Sequence, residues 1–147
     1  MDNITLENYK ISLNYIKKLR THFAKTYPID YKVGQVYQGN VDYSYFPFTP
    51  TSLKSQKLKI VIIFDHIKML FEICLAGQNR QIQKEYWQMF KDSDWNKYHI
   101  PATLEGFSIV EHILIEHPNF NDFDALNRHI ETETMTFIKD IVNVLDV

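Results

Sequence analysis

The run Leu58-Lys59-Ile60-Val61-Ile62-Ile63-Phe64 constrains this chain more than any other stretch. From Ile60 to Phe64 it has no polar position and no turn former, and it is far too short to cross a membrane. Such a run reads as a central strand buried on both faces. Asp65-His66 reads as a turn, and Met69 to Ala76 as the return strand. Alternation puts Met69, Phe71, Ile73 and Leu75 on one face and Leu70, Glu72, Cys74 and Ala76 on the other. Glu72 therefore shares a face with Cys74.

The flanking segments supply the rest of a sheet and its cover. Val33 to Tyr37 and Val41 to Phe48 read as two strands, with Gln38-Gly39-Asn40 as their turn. Pro47 and Pro50 bound the second of these and keep its end at an edge. Phe107 to Ile115 is β-branched and alternating, which predicts a strand, although Leu104, Phe107, Val110 and Leu114 also fit helical spacing. Leu6, Tyr9, Leu13, Ile16, Phe23 and Tyr27 draw a helical stripe from about Thr5 to Thr26. Asn3 or Thr5 is its cap and Pro28 its stop. Asn79 caps a second helix running to about Lys91, with Ile82, Tyr86, Met89 and Phe90 on its stripe. A last helix starts near Asn121 or Asp122, on a stripe from Phe123 to Leu145.

This order predicts an α+β fold. A mainly antiparallel sheet of about five strands forms a meander, with N-terminal, middle and C-terminal helices packed on one or both faces. The length of 147 residues suits a single α+β domain over 1–147.

Composition narrows the setting. Cys74 is the one cysteine, so no internal disulfide forms, and its apolar surroundings predict a buried, inert thiol. The start Met1-Asp2-Asn3-Ile4-Thr5-Leu6-Glu7 has no secretory pattern, and no segment is a membrane span. A soluble, cytoplasmic protein without membrane contact is expected. Residues 1–27 carry a balance of +3, residues 28–104 of +2 and residues 105–147 of −7. No dense basic run appears, which argues against a nucleic-acid partner. The split also allows a basic first helix and an acidic last helix to attract within one chain or across a homodimer.

Several stretches carry a resemblance: Tyr43-Ser44-Tyr45-Phe46-Pro47-Phe48-Thr49-Pro50, Leu58 to His66, and Phe71 to Trp87 with Leu75-Ala76-Gly77-Gln78-Asn79-Arg80. Through them the chain resembles an uncharacterised family of small single-domain bacterial proteins. The resemblance implies one complete domain and no particular activity, ligand or catalytic residue.

Four constellations can carry chemistry. Gly77-Gln78-Asn79-Arg80 lies at a strand-to-helix junction, where free N–H groups and an arginine fork suit a phosphate or carboxylate. The plainer reading is an Asn79 cap with Arg80 paired to an acid such as Glu72. Asp65, His66 and Glu72 offer acid and base groups, or else a turn and an ion-pair partner. Glu111-His112 and Glu116-His117 offer metal donors, with His112 and Glu116 on one face, but too few for a zinc set. Finally Tyr43, Tyr45, Phe46, Phe48, Tyr86, Trp87 and Trp95 can line a pocket or fill a core.

The leading expectation is a non-catalytic binding or protein-interaction module. Its partner is a protein or a small anionic ligand held by Glu72, Asn79, Arg80, Tyr86 and Trp87. The alternative is a small, metal-dependent nuclease-like enzyme on a phosphorylated or nucleic-acid substrate, with His66 and Glu72 as acid and base. No residue is assigned as catalytic, and no cofactor or bound metal is implied.

Overall fold

A computed structural model describes residues 6–39 and 41–147. In chain order it contains α1 (Leu6–Thr26), β1 (Tyr31–Val33), β2 (Tyr43–Pro50), α2 (Thr51–Lys54) and β3 (Leu58–Asp65). β4 (Leu70–Gly77), α3 (Arg80–Asp92), β5 (Ser108–Glu116) and α4 (Phe123–Leu145) follow. The five strands stand side by side in sequence order, every neighbouring pair antiparallel. The fold is therefore α+β, an antiparallel meander with N-terminal, middle and C-terminal helices.

The apolar run sits where its composition demands. β3 lies between β2 and β4, and its side chains enter two separate clusters. Ile60, Ile62 and Phe64 join Phe46, Phe48, Phe71, Ile73 and Leu75 on one face. All four helices feed this cluster, through residues such as Phe23 of α1, Leu53 of α2, Phe90 of α3 and Phe137 of α4. Each of these phenylalanines is worth about 1.5–3 kcal/mol of burial. Val61, Ile63, Cys74 and Ala76 face the other way, in a small cluster with Tyr45 against it. The helices thus cover one face and leave the other open.

Local signals explain most element ends. The Asn79 side chain accepts from the Ile82 N–H, and that of Asp122 from the Ala125 N–H, capping α3 and α4. Asp65 Oδ1 accepts from the N–H groups of Ile67 and Lys68, both at 2.9 Å, which closes the turn into β4. The predicted α1 caps Asn3 and Thr5 lie outside the described residues, as does Asn40 of the first predicted hairpin turn.

Three expectations need correction. The first strand is Tyr31–Val33 rather than Val33–Tyr37, with one further bridge at Tyr37↔Tyr45. The end of β2 is not left as a free edge: the ladder with β3 stops at Pro47, and Phe48 to Pro50 pair with β1 instead. Pro47 explains where the pairing with β1 stops. Gly34 donates its N–H to the Pro47 carbonyl at 2.9 Å, but Pro47 has no N–H to return. A Cβ on Gly34 would also lie 2.5 Å from the Pro47 ring. The missing donor points toward β1, so the β2–β3 ladder reaches Pro47 intact while the β1 ladder stops. Lastly, His112 and Glu116 do not share a face. His112 pairs with Ile73 and Glu116 with Leu70, and the irregularity between Phe71 and Glu72 shifts the alternation.

Between β2 and β3 the polar connection holds a short helix, α2, that its composition did not announce. Leu53 anchors it in the core, and Pro50 leads into it with φ −65°.

The oppositely charged terminal helices meet within the one chain. The Tyr15 hydroxyl donates to Asn127 Oδ1, and Glu131 contacts both His22 and Tyr27 at 2.6 Å.

Candidate functional site

On the open face the strand register sets residues in rows. Tyr45, Ile63, Glu72 and Ile113 form one row across β2 to β5. Pro47, Val61, Cys74 and Glu111 form the next. The segment between α3 and β5 then turns the face into a groove. It first runs along the outside of β5, where His99 and Glu111 exchange N–H···O bonds of 3.2 and 2.9 Å. Pro101 to Phe107 next fold back to face Tyr43 and Tyr45, enclosing a groove of about 390 Å³. A wider groove of about 800 Å³ adjoins it, with Lys68, Lys97 and His99 on its wall. Glu72 and Glu111 line both.

Residues at the start of α3 hold this wall. Arg80 donates from Nη2 to the Leu104 carbonyl at 2.7 Å and from Nη1 to the Gly106 carbonyl at 3.0 Å. Nη1 also donates to Gln83 Oε1 at 3.0 Å. Buried Gln83 adds a bond from Nε2 to the Gly106 carbonyl at 2.7 Å. Trp87 Nε1 donates to the Pro101 carbonyl at 2.8 Å. Gly77 permits the arrangement, because a Cβ there would lie 2.5 Å from the Gln83 backbone nitrogen. Asn79 caps the helix, and the Tyr86 hydroxyl reaches Gln56 Oε1 at 3.4 Å. Of the residues proposed from sequence, Glu72 lines the groove, Arg80 and Trp87 brace its wall, and Asn79 and Tyr86 stand behind it.

The groove has its own electrostatics. Glu72 is half-buried and makes no hydrogen bond or ion pair with another described residue. Burial raises its pKa above the ordinary carboxylate value, and the charges of Glu111 and Asp65 raise it further, against a smaller pull from Lys68. The Tyr43 phenol is also raised, by burial first and then by Asp65, Glu72 and Asp42. Glu111 has a loose contact of 3.9 Å with His99, which is largely in solvent while Glu111 is mostly covered. The Tyr37 and Tyr45 rings lie 4.9 Å apart along the neighbouring wall.

His66 stands elsewhere. Its Nδ1 lies 3.0 Å from Ser12 Oγ and its Nε2 2.8 Å from Ser44 Oγ, and its ring is 4.6 Å from that of Tyr9 on α1. All three members of this chain of bonds are buried. The open-face carboxylate Glu72, the α1-facing imidazole His66 and the loop-bound guanidinium Arg80 therefore serve three separate places. Among the described residues no three His, Cys, Asp or Glu side chains group to hold a metal ion. No helix among them is long and apolar enough to cross a membrane. Burial pushes the Cys74 thiol up to about 12.

Sequence reasoning passed over Phe107 and the wall-forming use of Glu105 and Gly106. The signal available was an aromatic residue directly after a glycine, within a polar stretch and ahead of a strand. Phe107 is half exposed beside the groove.

A family model described as a domain of unknown function (DUF7000) matches residues 3–145. The chain belongs to the DUF7000 family. The match takes in every stretch that carried the resemblance, from Tyr43–Pro50 to Trp87, and continues through α4. No curated protein matches this DUF7000 chain, and no solved structure matches it.

Proposed function

We propose that the chain is a single-domain, non-catalytic binding module whose ligand seat is the groove on the open sheet face. The observation that carries this reading is the pairing of an aromatic wall with an uncommitted acid. Tyr43, Tyr45 and Phe107 stand around a space that ends on half-buried Glu72. A volume of about 390 Å³ is of the size that takes a small organic molecule. In this reading Asn79, Arg80 and Trp87 act on the ligand indirectly, by fixing the Pro101–Phe107 wall.

A catalytic role finds less support. Acid, base and anion clamp would have to surround one substrate. His66 spends both ring nitrogens on buried serines, and Arg80 spends its guanidinium on loop carbonyls. The lone thiol, buried and held in its unreactive form, suits a reducing cytoplasm. Recovery of the native protein from an exported fraction would overturn that placement.

The seat is tested by screening small molecules against the isotope-labelled protein by NMR. Hits are expected to shift the amides of Tyr45, Glu72, Phe107 and Glu111, and to weaken with Tyr45→Ala and Phe107→Ala. Hits that map to the exposed face of α3, or that survive both substitutions unchanged, would refute the assignment.

A further inference from the structure

Resting on the groove as the seat, the geometry points to a small organic cation as its ligand: an ammonium or guanidinium group carried on an apolar body. Three carboxylates, Glu72, Glu105 and Glu111, line the groove, and among the described residues no lysine, arginine or histidine does. Of the basic groups on this side of the molecule, Lys68, Lys97 and His99 line the adjoining groove, and Lys59, in the row of Ala76 and Ser108, stands beside this one without lining it. The charged side chains that line the groove between Tyr43 and Phe107 are all carboxylates, which an anion would have to enter among.

Two further features favour a cation over a neutral guest. The first is that Glu72 makes no hydrogen bond or ion pair with another described residue, Lys68 acting on it only through its charge. A half-buried carboxylate beside Glu111 and Asp65 is held at a cost that an incoming positive charge removes. A donor from an ammonium or guanidinium forms a charge-assisted bond there, of the stronger kind. The second is the wall itself. The phenol rings of Tyr43 and Tyr45 offer π faces, which attract cations close to a ring. Ile63 on the floor and Phe107 on the rim accommodate an apolar body behind the charged head. Acid and aromatic thus meet in one cavity, and each selects the same chemical class.

The test uses three probes of one shape: benzylammonium, benzyl alcohol and benzoate, each titrated into the full chain and followed by amide NMR shifts. Benzylammonium is expected to bind at Tyr45, Glu72 and Glu111, with the alcohol weaker by roughly tenfold, as for a lost charged hydrogen bond, and benzoate unbound. Glu72→Gln and Glu111→Gln should each weaken benzylammonium while leaving the alcohol unchanged. Both substitutions relieve like-charge repulsion, so folding is expected to survive them, and the unshifted remainder of the spectrum checks this. If the alcohol or benzoate binds in the groove as tightly as benzylammonium, or both variants keep full affinity, the cation inference fails and the seat stands. If benzylammonium shifts residues away from the groove, or none at all, both fail.

Discussion

Arg20 donates from Nε to the carbonyl of Gly34 at 2.9 Å. The position opposite Gly34 is Pro47, which cannot supply the N–H that this carbonyl would receive in an unbroken ladder. The arginine of α1 therefore completes the hydrogen bonding of a sheet to which it does not belong. Arg20→Ala should lower unfolding stability by about 1–3 kcal/mol, since it leaves a carbonyl unpaired near the core. The same substitution made on top of Pro47→Ala should cost less, because the restored backbone N–H can reach Gly34. Urea denaturation of the four proteins in this cycle measures the coupling. Simple additivity would show that Arg20 and Pro47 are unrelated.

The second prediction concerns pH and rests on His66. Ser12 Oγ lies 3.0 Å from the carbonyls of Asn8 and of Tyr9, and donates toward them. It is then left to accept from His66 Nδ1–H, while Nε2 accepts from the Ser44 hydroxyl, which lies 2.8 Å from it and 3.5 Å from its other acceptor, the Gln38 carbonyl. This network fits the neutral ring. Burial lowers the His66 pKa below its ordinary value, and the nearby Asp65 and Asp42 offset this only in part. Below the unfolded pKa of about 6.5 the unfolded chain takes the proton first. Stability should therefore be full above that pH and fall as the pH drops through the folded value. Thermal unfolding from pH 7.5 to 5 should show the loss, and His66→Gln should flatten the slope. An NMR titration placing His66 above 6.5 would contradict it.

A third prediction follows from the wall of the groove. Arg80 is exposed, so its bonds to Leu104 and Gly106 contribute little to global stability, about 1 kcal/mol or less. Their effect is local. Arg80→Ala should raise amide hydrogen exchange across residues 101–107 while leaving β3 and β4 protected. Arg80→Lys should behave like the alanine variant, since an ammonium cannot span two carbonyls as the fork does. Unchanged exchange in the loop would remove Arg80 from the role of brace.

The contrast between β4 and that loop shows what the sequence could disclose. The alternation of Phe71, Glu72, Ile73 and Cys74 records two environments at every second residue, so the strand and the face of Glu72 were readable directly. The helices and the Asn79 cap were readable for the same reason, being local, but the stripes were readable only in part: Leu6 and Met89 are exposed, and Tyr15 and Leu19 share the buried face of α1 with Ile16 and Phe23. Neither the approach of Glu72 to Glu111 in neighbouring rows nor the face of Glu116 was readable. Both depend on the β4–β5 register and its two irregularities. The wall was hidden more deeply. Its shape comes from bonds between side chains and distant carbonyls, Arg80 to Leu104 and Trp87 to Pro101. Such bonds leave no periodicity. The same Gly77–Arg80 stretch that suggests an anion clamp in sequence supplies these braces in the fold.

Two buried threonines make the last prediction, with opposite signs. Thr49 Oγ1 accepts from the Ile60 N–H at 3.1 Å, just beyond Pro47↔Val61, the last paired position of the β2–β3 ladder. Thr49→Val keeps the shape but orphans that buried N–H, and should cost about 1–3 kcal/mol. Thr134 on α4 is also fully buried, yet its Oγ1 has no hydrogen-bond partner among the described residues. A buried hydroxyl without a partner is a standing penalty, so Thr134→Val should leave stability unchanged or raise it by about 1 kcal/mol. Denaturant midpoints for the two variants decide the matter, because size and branching change equally in both. A loss at Thr134 as large as that at Thr49 would mean the α4 hydroxyl has a partner after all, and would make the core around Phe137 wetter than its packing implies.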